Sequence, residues 1–531
     1  MHKRMSFKIA SISLLLMVAS GLAIAETVTE TISQAATINK LNEQDALRVM
    51  SLIDRAQRLR ALLPGFIDES NLAMAAHNGA LPSTYTLRLA KSLAQANELR
   101  DGLFDQALKH RGALYRIDNQ LNDNERMAEI IIGMAAGITL YDNNKAMRDT
   151  FDNNPVLREK LNESYPELNL KGGFYNASNM RAANPKYRKA MNDALQYFND
   201  NKLAIEAQIP HSASGIQNLY GYLAQSPSLR KLSGANVFKE IVILPVKAAK
   251  SVVGLSGHGL ARIKFRASQT VGNTMGVVRW RDGKLKNDVA VLQALQAQLQ
   301  PGDILLEKTP FTLTDKSIPG HFGHAAIYTG TAEQLRDLST ASLPQKNLQL
   351  VQKNLANIET GHVVVEALRD GVQLDTLQAF MNIDDVAILR PKYLSVEARL
   401  DAVNLALGNL GKQYDFNFDV NTTETIVCSE LIYIVYPQID FVTKRVLGSF
   451  TITPDDVAMQ AAEVNSPLAV VLFAHDGQLV LDANHDETSH DENGLVLYKQ
   501  LVKGNAPQGT PQAEPQDVPN SQSAQFKGFI Q

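Results

Sequence analysis

The 531-residue chain has one cysteine, Cys428, and one tryptophan, Trp280. A lone cysteine cannot close an internal disulfide, so the fold must rest on its hydrophobic core. Basic charge is not in excess either: 52 Lys and Arg against 55 Asp and Glu leave a net charge of −3. That balance argues against a dedicated nucleic-acid binder, whose surface carries a clear basic surplus. Beyond the first residues no apolar run is long enough to cross a bilayer. The nearest, Ile130–Tyr141, is too short, and its Gly133 and Gly137, four apart, suit a buried helix packed closely on a neighbour. Calcium loops are absent as well. Asp415-x-Asn417-x-Asp419 has Val420 where the loop needs glycine and Ile426 where it needs glutamate, and Asp482-x-Asn484-x-Asp486 fails at Glu487 and Asn493. No essential metal and no cofactor are expected.

What is present is an ordinary globular composition, 45% hydrophobic and 20% charged, over a length that suits two or more domains with full cores. His2, Lys3, Arg4 and Lys8 precede an apolar run from Ile9 to about Leu22, and Ala23-Ile-Ala25 offers a small-x-small cleavage site. This pattern reads as a secretory signal peptide over 1–25. The expected mature chain starts at Glu26, has no cysteine there to take a lipid anchor, has no further membrane span, and is periplasmic or secreted. A free thiol in an oxidising compartment is more easily understood if it has a use; a sequestered core thiol is the alternative.

From about Ile38 to Tyr222 apolar residues recur every three or four, as in Leu47–Leu63, Thr84–Leu108, Asn124–Phe151 and Lys186–Asn201. This predicts an all-α domain over 26–246, with Pro64-Gly65 expected to end its first helix. No motif there carries chemistry, since His77 and His110 stand alone. Between Lys247 and Lys286 there are nine Lys or Arg and one acid, Asp282, among glycines. The stretch reads as a connector over 247–288: a solvated linker or lid, or a segment touching an anionic envelope. After Val289 short β-rich runs alternate with helices: Ile304–Leu306, Ala325–Tyr328, His362–Glu366, Val386–Leu389 and Leu468–Phe473 are expected strands, Leu394–Leu410 and Cys428–Tyr436 expected helices. That predicts an α+β domain over 289–480, helices on a mostly antiparallel sheet. The remainder, 481–531, reads as an extension whose end, after about Gly504, is rich in Pro, Gln, Asn and Ser and is expected to be disordered.

The chemistry centres on Cys428. The apolar Leu431, Ile432, Ile434 and Val435 suit a buried helix ended by Pro437, with Thr425 as its expected N-cap. Cys428 then falls in the first turn, where unpaired N–H groups and the helix dipole favour a thiolate; the alternative is a small core hydrophobe. A thiolate nucleophile needs a base and a group that orients the base. His324 heads a short strand, on one face with Ala326 and Tyr328, whereas His321, three residues away across Gly323, should point elsewhere. Glu366 ends a run of three valines, where a buried carboxylate needs a partner. His324 is the obvious partner; a glutamate facing water at the strand end is the alternative.

Taken in order, six segments resemble the permuted NlpC-type cysteine hydrolases of the YiiX kind: Pro301-Gly-Asp-Ile-Leu-Leu306, Ile318-Pro-Gly-His-Phe-Gly-His-Ala-Ala-Ile-Tyr-Thr-Gly330, Val365-Glu-Ala367, Gly411-Lys-Gln-Tyr-Asp-Phe416, Val427-Cys-Ser-Glu-Leu431 and Thr453-Pro-Asp-Asp456. The resemblance runs from about residue 290 to 475 and implies a circularly permuted papain-like fold, shared with lecithin:retinol acyltransferases, in which the histidine strand precedes the cysteine helix. It implies Cys428 as nucleophile, His324 as base, Glu366 as orienting carboxylate and Tyr414 near the oxyanion. Val427 departs from the aromatic residue often found before the cysteine. The implied activity is thiol-dependent hydrolysis of an amide bond, in a cell-envelope peptide or N-acyl compound. Lipid acyl hydrolysis or transfer, and a non-catalytic envelope-binding protein, are the alternatives.

Overall fold

The computed structural model describes residues 42–117, 121–232, 281–309, 320–339, 349–415, 420, 425–446, 449–482 and 489–504. The expected signal peptide, most of the basic connector, the Asn417 and Asp486 regions of the failed calcium patterns and the tail after Gly504 lie outside them.

The N-terminal half is all α. Its helices are α1 (42–76), α2 (Ser83–Lys109), α3 (Asp123–Phe151), α4 (Pro155–Lys160), α5 (Phe174–Ala183), α6 (Pro185–Asp200), α7 (Lys202–Gln208), α8 (Ser214–Gln225) and α9 (Pro227–Leu232). The central one, α3, opens on a capping box in which the Asn122 side chain accepts from the N–H of Glu125 while Glu125 accepts from that of Asn122. Ile130, Ile131, Ile132, Met134, Ala135 and Ile138 on α3 are buried, so the apolar run that approached membrane character is the core of a bundle. Among the described residues no helix is long and apolar enough to cross a membrane.

One expectation fails in this half. Pro64-Gly65 does not end the first helix, which continues to residue 76. Proline removes one backbone hydrogen bond and crowds the preceding turn. That loss is outweighed because Leu63, Phe66, Ile67 and Met74 pack on a cluster containing Leu89, Leu93 and Phe151.

The C-terminal half is built on a seven-stranded sheet in the order β4-β3-β2-β1-β5-β8-β9, every pairing antiparallel. The strands are β1 (Ile304–Lys308), β2 (His324–Tyr328), β3 (His362–Leu368), β4 (Gly371–Thr376), β5 (Asp385–Pro391), β8 (Leu468–His475) and β9 (Gln478–Asp482); β6 (Lys444–Val446) and β7 (Ser449–Thr451) form a separate ribbon. Helices α10 (Val289–Gln298), α11 (Ala332–Ser339), α12 (Gln349–Glu359), α13 (Leu377–Phe380), α14 (Val396–Gly408), α15 (Cys428–Val435), α16 (Pro454–Ala461) and α17 (Ser489–Gly504) complete it. The five expected strands and two expected helices are all present. Strands β4, β6, β7 and β9 were not foreseen: β4 and β9 are the edge strands of the sheet, and β6 and β7 are only three residues each. The side chains of α15 pack on β2 and β3. Helix α17 adds Tyr498 and Val502 to the same core.

The halves touch through the turn before α2. Ala80 is part of the C-terminal core, the Tyr433 hydroxyl donates to the Leu81 carbonyl at 3.1 Å, and the Thr84 hydroxyl donates to the Pro437 carbonyl.

Pro64 is exposed, so replacing it removes no packing. Pro64→Ala should stabilise the protein by about 1–3 kcal/mol, the cost of an interior helical proline less relaxation already made. Chemical denaturation of the two proteins measures this. An unchanged or lowered midpoint would mean that the bundle depends on a bend at that point.

Candidate active site

Strand register explains why His324 and Glu366 meet. Ala326 lies directly opposite Glu366 in the β2–β3 ladder, which makes Glu366 the diagonal neighbour of His324 on one sheet face, within reach of a long side chain. The His324 Nε2 is 2.8 Å from Glu366 Oε2, with 13% and 6% of the two side chains exposed. Cys428 stands close enough to the His324 ring to raise its pKa. Since Nε2 is committed to Glu366, Nδ1 is left for the sulfur. Burial would drive the imidazolium toward its neutral form. The facing Cys428, by charge and hydrogen bond, then the Glu366 hydrogen bond and the charge of Glu307, together hold the His324 pKa well above the ordinary histidine value.

Cys428 is the first residue of α15 and is 5% exposed. The expected N-cap is corrected: Val427 occupies that position, and its N–H is capped by Glu430 Oε2 at 2.9 Å, while Thr425 pairs with Gln413 in a parallel bridge. The bridge holds Thr425 three residues ahead of Cys428, too far back to cap the helix. Its consequence is useful, because Ile426 N–H donates to the Gln413 carbonyl at 3.0 Å and the chain at 413–415 runs alongside the approach to Cys428. Tyr414 is thereby brought beside the sulfur. Burial first, then the charges of Cys428 and Glu430, raise the Tyr414 pKa, so its hydroxyl keeps its proton.

The structure thus brings Cys428, His324, Glu366 and Tyr414 together and leaves His321 out. His321 Nε2 instead meets Asp385 Oδ2 at 2.7 Å, as does His475 Nδ1, also at 2.7 Å, and Asp385 Oδ1 accepts from the Asp476 N–H at 2.8 Å. Burial would raise the Asp385 pKa, but the hydrogen bonds from His321, Asp476 and His475 bring it below the usual carboxylate range. Ligand-type atoms of these three residues lie within 4.8 Å of one another. Those imidazole nitrogens serve the carboxylate as N–H donors, whereas a metal ion would need their lone pairs, so clasp and metal are alternatives. The clasp joins the loop before β2 to the start of β5 and the end of β8.

A second brace was present in the sequence but not understood. Thr453-Pro-Asp-Asp456 starts α16, with Thr453 and Asp456 as the two halves of a capping box. Asp455 then accepts from the N–H groups of His321 and Phe322 at 2.8 and 3.0 Å, fixing the loop that aims His324. Gly320 has φ +135, and a Cβ there would stand 2.5 Å from Asp455 Cγ, so only glycine fits this approach.

Residues 298–481 match the family described as permuted papain-like amidase enzymes, YaeF/YiiX, C92 family. This segment is similar to permuted papain-like amidase domains. No curated protein and no solved structure matches the chain. The match supports a hydrolase of the papain-like kind in that segment; the helical half and α17 lie outside it.

Iodoacetamide should modify Cys428 of the native protein at pH 6 at least about tenfold faster than the His324→Ala protein, which has lost the imidazolium counter-charge. His321→Ala should lower the melting temperature, since it strips a donor from buried Asp385, yet leave the rate nearly unchanged. Equal rates for native and His324→Ala protein at pH 6 would contradict the pairing.

Proposed function

We propose that the chain is an exported cysteine hydrolase that cleaves an amide bond through a Cys428 thioester, its substrate a cell-envelope peptide or N-acyl compound. The observation that carries this reading is His324 held between Glu366 and Cys428, inside a segment that matches an amidase family. Export is supported by the basic start, apolar run and small-x-small site of residues 1–25. The basic residues of 247–286 suit contact with an anionic envelope.

In this mechanism the Cys428 thiolate attacks the substrate carbonyl carbon. The charge that develops on the carbonyl oxygen falls to the N–H of Cys428, which has no intrahelical partner at the first position of α15, and to the protonated Tyr414 hydroxyl. The His324 imidazolium gives its proton to the departing amine, the C–N bond breaks, and the acyl group stays on sulfur. Neutral His324 then takes a proton from water, the hydroxyl attacks the thioester, and the carboxylic acid leaves, which restores the Cys428 thiolate beside the His324 imidazolium. Glu366 holds the ring so that Nδ1 faces sulfur throughout, and its charge stabilises the imidazolium.

Glu366→Gln keeps the shape and removes the charge. Turnover of an N-acyl peptide should fall by roughly two to four orders of magnitude with folded yield nearly unchanged, measured by amine release from a peptide panel in parallel with Cys428→Ala. Unchanged turnover in Glu366→Gln would assign that carboxylate to structure alone, and activity in Cys428→Ala would remove the thioester route.

A further inference from the structure

The helical half holds a partly open cavity of about 290 Å³ between α1, α2, α3, α5 and α6. Its wall is apolar, with Leu93, Phe104, Ile130, Met134, Met147 and Phe174 among the lining side chains. The size approaches the lower end of small-ligand pockets, roughly 300–1,000 Å³, and is about twice that of a dry engineered cavity of roughly 150 Å³ that admits benzene.

The polar part of the wall has one sign. Arg60, Arg100, Arg111, Arg181 and Arg188 line the cavity, and no Asp or Glu does. Arg100 and Arg181 lie over the Phe174 and Phe104 rings, 4.6 and 5.3 Å from the centroids. The two share the single carboxylate of Asp101 at 2.9 and 3.4 Å, which leaves net positive charge above the apolar wall. Buried beside it, His110 lines the cavity with neither ring nitrogen hydrogen-bonded; the carboxylates of Asp45 and Glu129 stand 3.4 and 3.7 Å away and do not line the cavity. The Nε of Arg188 is likewise buried without a hydrogen-bond partner.

We propose that the helical domain binds a single-chain lipid with an anionic head, the acyl chain in the α1–α2–α3–α5–α6 cavity and the head on its arginines. Guanidinium groups match carboxylate and phosphate oxygens in a bidentate fashion, so a free fatty acid and a lysophosphatidate share the required chemistry. The chain's own stretch between Lys247 and Lys286, with nine Lys or Arg and one acid, has the wrong sign to occupy such a site. The site lies outside the segment that carries Cys428, so it is independent of the hydrolase reading.

The test is fluorescence titration of the full chain with cis-parinaric acid, followed by displacement with palmitate, lysophosphatidate, methyl palmitate or hexadecyltrimethylammonium. Saturable binding at one site per chain is expected, displaced by the two anions and at least about tenfold less well by the neutral ester or the cation. Palmitate and lysophosphatidate then show which head is preferred. Ala96→Phe on α2 and Ala190→Phe on α6 each put a ring into the cavity and should abolish binding, and two sites on different helices guard against one variant failing to fold. Arg181→Gln should weaken palmitate about tenfold while leaving methyl palmitate unchanged. Absence of saturable binding, equal displacement by the cation, or retained binding in both folded phenylalanine variants would overturn the proposal.

Discussion

The arrangement depends on a single apposition: the start of a helix that carries the only thiol is pressed onto two antiparallel strands that carry an imidazole and a carboxylate. Separately each element is ordinary. A helix N-terminus favours negative charge, and a buried glutamate needs a donor. Together they hold a charged imidazole in a site from which burial alone would expel it, and the high pKa of His324 records the balance. Remove the carboxylate or the sulfur and the ring returns to the ordinary fate of a buried histidine.

Around that apposition stand braces that never touch the thiol. Asp455 grips the loop ahead of β2 by two backbone N–H groups, and the Asp385 clasp fastens the same loop to β5 and β8. Buried carboxylates are costly unless their oxygens are satisfied, and here hydrogen bonds from the loop before β2 and from the end of β8 supply that satisfaction. Rigid positioning by neighbouring elements is what a two-step acyl transfer requires, since the same ring must donate and then accept a proton without moving far.

Much of this was legible in the residues. Valine-rich and alanine-rich runs identify the central strands because burial on both faces leaves no choice of residue, and the helix at Cys428 is announced by its apolar face. The edge strands β4 and β9 were missed because solvent on one side relaxes that choice. Two local signals misled: Pro64-Gly65 reads as a stop only if tertiary packing is ignored, and Thr425 reads as a cap only if the helix starts two residues earlier than it does. His321 shows the limit of spacing arguments. Its distance from His324 in sequence says that it points elsewhere, but only the fold shows that elsewhere is Asp385, a strand start that carries no motif.

In the helical half the arginines look like ordinary solvated charges in the sequence, and only the packing of the helices brings them to one cavity. The hydrolase half is concentrated in one sulfur, and that gives the most direct measurement of the central claim: intact-protein mass spectrometry of the full chain, acid-quenched within seconds of mixing with an N-acyl peptide or an activated acyl ester. The account predicts a transient mass increase equal to the acyl group, mapped to Cys428, cleaved by hydroxylamine and absent from Cys428→Ala. Product formation with no acyl mass on Cys428, or with the acyl group on another residue, would contradict it.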